Sequence, residues 1–282
     1  MVPAAVSLPY YREDLARVHH EGFAFHANTY APDILSLLKS VRTGGRVVEL
    51  GCGSGLLTRH LSDASHRVIA TDASIAMLEI AMQHAPRAIE HRKLVLPDDP
   101  IPPADAIVSV GHVLSYLPDE ESIDRALVAI ARALKPGGVM AIDLCDLEWG
   151  RARRNEQAKI WRTDEWVLMT EFSSPSPDRY IREMTTFVRN PDGSWRRDDE
   201  RHDNVLIDTS QVPELLAEHG VEASISSSFA GVELPAGLVA IVGRKHVGTS
   251  ARSEIEGGRD AVRKRGTRSV DSGPSRGGDD AP

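Results

Sequence analysis

One stretch constrains this chain more than any other: Val47-Val48-Glu49-Leu50-Gly51-Cys52-Gly53-Ser54-Gly55, an apolar run with an acid near its end, followed by three alternate glycines. Val47 to Leu50 reads as a buried strand, and Leu56, Leu57 and Leu61 supply helical spacing just beyond the glycines. The glycines therefore fall at a strand-to-helix turn. Without a Cβ the backbone can turn tightly there and admit a ligand to its peptide groups, while the next helix offers unpaired N–H groups. A turn that binds nothing carries the same local pattern, so the neighbouring segments decide.

Arg67-Val68-Ile69-Ala70-Thr71-Asp72 is a second short apolar run. It ends in an acid about 20 residues beyond the first glycine, the spacing of a ribose-binding carboxylate in a βαβ unit. A dinucleotide fingerprint needs its third glycine three residues after the second. That position is Leu56, and the third glycine comes early, at Gly55. The spacing fits a nucleoside and argues against a pyrophosphate.

Glu49-Leu50-Gly51-Cys52-Gly53-Ser54-Gly55 resembles the first motif of the class I S-adenosylmethionine-dependent methyltransferases. The resemblance implies that Gly51 and Gly53 pack against the methionine part of S-adenosylmethionine and that Asp72 holds the ribose hydroxyls. It also puts Glu49, Cys52, Gly55, Ala73, Met77, Val110 and Gly111 against the cofactor. Leu94-Val95-Leu96-Pro97-Asp98 looks like the third strand, with Asp98 meeting the adenine amino group, although the family usually has Gly in place of Pro97. Asp105 to His112 looks like the fourth strand, and a helix follows over Ile123 to Leu134. Pro136 then stops the helix, Gly137 and Gly138 turn the chain, and Val139 to Asp143 is a fifth buried strand. The likeness is close over residues 10–145 and looser over 205–244.

The implied fold class is α/β. It is a doubly wound, seven-stranded, mostly parallel sheet of Rossmann-like methyltransferase type, with N-terminal capping helices and an antiparallel β-rich insert. Residues 1–40 would supply the helices, 41–146 with 205–246 the cofactor-binding core, 147–204 a lid over the active site, and 247–282 a disordered tail rich in Gly, Ser, Arg and Asp. The insert region holds all four tryptophans, Trp149, Trp161, Trp166 and Trp195. Trp166 to Phe172 and Tyr180 to Arg189 alternate polar with apolar residues, and Pro191-Asp192-Gly193 reads as a hairpin turn. A helix over Ser210 to His219 and two strands, Val221 to Phe229 and Gly237 to Val242, complete the core.

A chain of 282 residues with 41% hydrophobic content can bury such a core, and its formal charge of −8 argues against a nucleic-acid surface. Two cysteines are too few for a disulfide framework or a thiolate zinc site, which suits a reducing cytoplasm. No apolar run approaches a membrane span. No Cys or acid stands at ligand spacing from His19, His20 and His26, so no metal is expected; these histidines are a second set of candidate site residues, for which surface or helix-packing roles are favoured. A homo-oligomer is left open.

Methyl transfer from a sulfonium is an in-line displacement, so holding the acceptor and excluding water carry most of the catalysis. Candidate catalytic residues follow the fourth strand: His112 as a proton acceptor and Tyr116 one turn later. Structural roles, orienting backbone and packing a helix, compete for both. In the insert, Glu171, Tyr180, Arg182, Glu183 and His202 could touch the acceptor, and the tryptophans could wall its pocket. The expected activity is methyl transfer to a nitrogen or oxygen of a small molecule. The alternatives are an NAD-type oxidoreductase and a non-catalytic S-adenosylmethionine-binding regulatory protein.

Overall fold

A computed structural model describes residues 10–23 and 25–247; the expected tail beyond Val247 and the first nine residues of the expected capping segment lie outside the described residues. Helices α1 (Glu13–Gly22) and α2 (Phe25–Leu37) precede β1 (Arg46–Leu50), α3 (Leu56–Asp63), β2 (Arg67–Asp72), α4 (Ile75–His84), β3 (Glu90–Lys93) and β4 (Ala104–Ser109). Then follow α5 (Glu120–Ala133), β5 (Leu134–Cys145), α6 (Leu147–Ala152), β6 (Lys159–Arg162), β7 (Trp166–Ser173), β8 (Arg179–Arg189) and β9 (Trp195–Val205). The last elements among the described residues are α7 (Val212–Glu218), β10 (Val221–Ser226) and β11 (Leu238–Lys245).

Seven strands form one sheet in the order β10-β11-β5-β4-β1-β2-β3, in which β11 alone runs against its neighbours. Successive residues of a strand point to opposite faces, and this explains the two cores. Val48, Leu50 and Ile107 pack with α5 and α7 on one face, while Val47, Val68 and Ala106 pack with α2 and α3 on the other. Strand order reverses between β1 and β4, where a doubly wound sheet opens its crevice. Asp119 starts α5 by accepting the Ser122 N–H at 2.8 Å, and Ser74 starts α4 by accepting the Met77 N–H at 3.1 Å.

The insert is a second sheet, β6-β7-β8-β9, antiparallel throughout. Its inner face packs Trp166, Leu168, Met184 and Val188 on Leu15 and Val18 of α1. Helix α1 thus joins the second sheet to the rest.

Three expectations need correction. The third strand is Glu90–Lys93, not Leu94 to Asp98. It is an edge strand, where charged residues are favoured, so the apolar run that follows misled the reading. That run turns instead: Pro97 has no N–H for a ladder, and the Asp99 carboxylate accepts the Val95 N–H at 2.8 Å. Strand β5 begins at Leu134, because Pro136-Gly137-Gly138 is absorbed as an irregularity of pairing between Ala104 and Ala106 rather than as a separate turn. Strand β6 went unread because it is short and mostly exposed.

Candidate active site

Two cavities meet above the carboxyl ends of β1 and β4. The first, about 470 Å³, runs along the glycine turn and the end of β2. The second, about 280 Å³, lies against the second sheet. Tyr11, His19, Phe23, His26, Val110 and Gly111 line both, so they form the rim between them.

The first cavity is built by backbone conformation. Gly51 and Gly53 have φ of 66° and 52°, in the left-handed region that favours glycine. A Cβ on Gly53 would meet nothing within 4 Å, so its peptide faces open space. Asp72 accepts the Gly53 N–H at 2.9 Å and the Ser74 N–H at 2.8 Å, which fixes its carboxylate at the cavity edge. Burial nevertheless pushes its pKa up, against the pull of those amides. Glu49 lines the same wall, accepts the Thr58 hydroxyl at 2.6 Å, and is pushed up to about 8 by burial. Cys52, Ala73, Met77, Val110 and Gly111 also line this cavity. Burial lifts the Cys52 thiol well above its ordinary range, which makes it inert.

Two expected cofactor contacts stand elsewhere. Asp98 is largely exposed and pairs with Arg125 at 2.6 Å, because the turn at Pro97 carries it away; Leu94, Val95 and Leu96 line the cavity in its place. Gly55 lines neither cavity. A Cβ there would sit 3.0 Å from the Cα of Ala81, so Gly55 lets α3 and α4 approach closely.

The second cavity begins at a strained turn. His112 has φ of 49°, and the buried Asp143 carboxylate holds it by accepting the N–H groups of Gly111 at 2.9 Å and His112 at 2.8 Å. Asp143 is pushed up to about 6 by burial. His112 and Tyr116 stack with ring centroids 5.5 Å apart, His112 facing the second cavity and Tyr116 the first. Burial and then the Arg182 cation push His112 well below its ordinary pKa, so it is neutral; burial pushes the Tyr116 phenol well up. The Tyr116 hydroxyl lies 2.9 Å from that of Tyr11 and accepts from the Arg182 guanidinium.

Of the insert candidates, Tyr180 and Arg182 reach the second cavity, with Trp149 and Trp161. Glu171 and Glu183 are exposed, Trp195 is exposed, and Trp166 is buried against Glu21. His202 lies behind the wall, bonded to Glu200 at 2.9 Å. Glu200 in turn accepts the N–H groups of Tyr11 and Arg12, both at 2.7 Å, and so pins the segment before α1 across the rim.

Of the second set of histidine candidates, His19 of α1 and His26 of α2 line both cavities. Their positions on α1 and α2 bring them there once the lid packs on α1, which no local pattern reveals. Asp143 was missed although an acid ending a buried strand was legible; Arg153 and Tyr11 left no such signal. Among the described residues no group of three His, Cys, Asp or Glu could hold a metal ion, and no helix is long and apolar enough to cross a membrane.

Residues 47–138 match a family model described as a methyltransferase domain. The chain is 36% identical over 103 residues to a trans-aconitate 2-methyltransferase from Variovorax paradoxus; the match covers 36% of this chain and 39% of that protein, about two fifths of its length. Its fold is similar to an S-adenosylmethionine-dependent methyltransferase from Clostridium acetobutylicum, with a TM-score of 0.70 at 16% identity over 82% of this chain and 97% of that one. It is also similar to a sugar N-methyltransferase from Streptoalloteichus sp, with a TM-score of 0.65 at 20% identity over 86% of this chain and 98% of that one. At these identities the structural likenesses show the fold.

Proposed function

We propose that the chain is a class I S-adenosylmethionine-dependent methyltransferase, a reading supported by the methyltransferase-domain match and the shared fold, and that it methylates a nitrogen or oxygen of a small molecule held under the second sheet. The observation that carries this reading is the shared rim. A nucleoside-sized cavity with a glycine cradle and a fixed carboxylate meets, at Val110 and Gly111, a second and smaller cavity walled by Trp149 and Trp161.

When bound, S-adenosylmethionine supplies an electrophilic methyl group. The residues present fit it: Gly53 leaves room at the turn, Asp72 offers an acceptor to ribose hydroxyls, and Glu49 offers one to a cationic amine. The chain's own contribution is to hold an acceptor at the rim and to keep water out. Neutral His112 can take the proton that the acceptor loses. The burial that keeps it neutral also makes it a weak base, so positioning contributes more than proton transfer. Tyr116 keeps its proton and orients through its hydroxyl.

The test is incubation of the purified protein with labelled cofactor and a fractionated metabolite extract, followed by mass detection of labelled product and of S-adenosylhomocysteine. Cofactor binding without turnover on any fraction would refute catalysis and favour a regulatory binding protein.

A further inference from the structure

The second cavity is positive inside a negative protein. Three cations line it, Arg153, Lys159 and Arg182, against two carboxylates, Asp143 and Glu156, in a chain of formal charge −8. Both carboxylates are already engaged. Asp143 holds the Gly111–His112 turn, and Glu156 accepts the Tyr180 hydroxyl at 2.7 Å and pairs with Lys159 at 2.5 Å.

The two arginines lack an acidic partner. Arg153 lies with its guanidinium carbon 3.3 Å from the centre of the Trp149 ring and donates to carbonyl oxygens of Trp149 and Ala236. Arg182 makes no salt bridge among the described residues; its one side-chain hydrogen bond there goes to the Tyr116 hydroxyl, and its Nε is buried with no partner. That hydroxyl is a neutral phenol, not a counter-ion. A guanidinium withdrawn from water without an anion is costly, and its planar fork of donors matches carboxylate and phosphate oxygens.

We infer that the molecule bound in the second cavity carries an oxyanion, a carboxylate or phosphate group, that docks on the Arg182 guanidinium. The inference rests on the methyl-transfer reading only in taking that molecule to be the acceptor. Arg182 then sets specificity. A neutral analogue of the same shape leaves the buried cation unpaired and is rejected, which is how a polar site discriminates most strongly. The anchored anion also fixes where the rest of the acceptor reaches, toward the rim at Gly111.

The experiment titrates the full chain, loaded with S-adenosylhomocysteine, with three probes of matched shape: benzoate, phenyl phosphate and benzamide. Trp149 and Trp161 line the cavity, so their fluorescence reports occupancy alongside calorimetry. The expected result is at least one anion bound about tenfold or more tighter than benzamide; which anion wins tells carboxylate from phosphate. Arg182→Gln should abolish the preference while leaving S-adenosylhomocysteine affinity unchanged, and Arg182→Lys should keep part of it. Benzamide binding as tightly as both anions, or neither anion binding, overturns the inference without any variant. A preference retained by Arg182→Gln overturns it too. Failure to bind S-adenosylhomocysteine would refute the methyl-transfer reading instead, and the probe comparison run without it would still decide the anion site.

Discussion

Asp72 Oδ2 accepts the backbone N–H of Gly53 at 2.9 Å, which ties the acid ending β2 to the turn that follows β1. The other oxygen takes the Ser74 N–H, so one carboxylate secures both the glycine turn and the start of α4. Asp72→Ala is expected to weaken S-adenosylhomocysteine binding by about 1.5–3 kcal/mol for each charged hydrogen bond lost, and to lower the melting temperature because two backbone donors lose their partner. Asp72→Asn keeps one acceptor oxygen and should fall between. Unchanged calorimetric affinity in Asp72→Ala would sink the ribose role.

The three glycines of the turn should separate under substitution. Gly53→Ala places a methyl group in open space beside the first cavity at a φ of 52°, at a cost in stability of about 1–2 kcal/mol. Its larger effect should be on cofactor affinity. Gly55→Ala drives a methyl group to 3.0 Å from the Ala81 backbone at a φ of 84°, so α3 and α4 must part. The melting temperature should fall further than in Gly53→Ala, with the cofactor affinity of the folded fraction little changed. Thermal melts and titrations on both variants test this; a reversed order would mean that Gly55, not Gly53, faces the ligand.

That contrast marks what the sequence makes legible. Alternate glycines announce the turn, but which of them faces ligand and which faces a helix depends on where α4 packs. The strands were readable wherever both faces are buried, as at Val47 to Leu50 and Arg67 to Asp72. Reading failed at the edge strand β3, whose residues are polar on both sides, and Asp98 was misplaced with it. The lid strands announced themselves by alternation and by Pro191-Asp192-Gly193. The rim did not: Tyr11 and His19 are far in sequence from Val110 and Gly111, and they meet only in the folded chain.

Glu49 should make cofactor binding depend on pH. Burial lifts its carboxyl to about 8, against the Thr58 hydroxyl, so the cofactor-free protein holds a proton there at pH 7. A cationic ligand in the adjoining cavity favours the carboxylate and expels that proton. Binding of S-adenosylmethionine at pH 7 should therefore release up to one proton to buffer, and affinity should rise with pH and level off above about 8. Calorimetry in two buffers of different ionisation enthalpy counts the proton. Glu49→Gln should bring the count to zero, and a wild-type count of zero would show that Glu49 does not meet the cationic part.

The fold should lose stability in acid through His202. Its Nε2 lies 2.9 Å from Glu200, the residue that holds the Tyr11 and Arg12 amides, and burial lowers its pKa to about 4. The unfolded chain takes up that proton near the ordinary value of 6.5, whereas the folded chain resists it until about 4. Stability from the neutral ring is therefore complete above pH 6.5 and is lost as pH falls toward 4, with unfolding favoured by about 2 kcal/mol at pH 5 relative to pH 7.5. His202→Gln keeps a donor for Glu200 but cannot titrate. Its melting temperature should fall less than that of the wild type between pH 7.5 and 5, and equal slopes in the two proteins would remove His202 from the account.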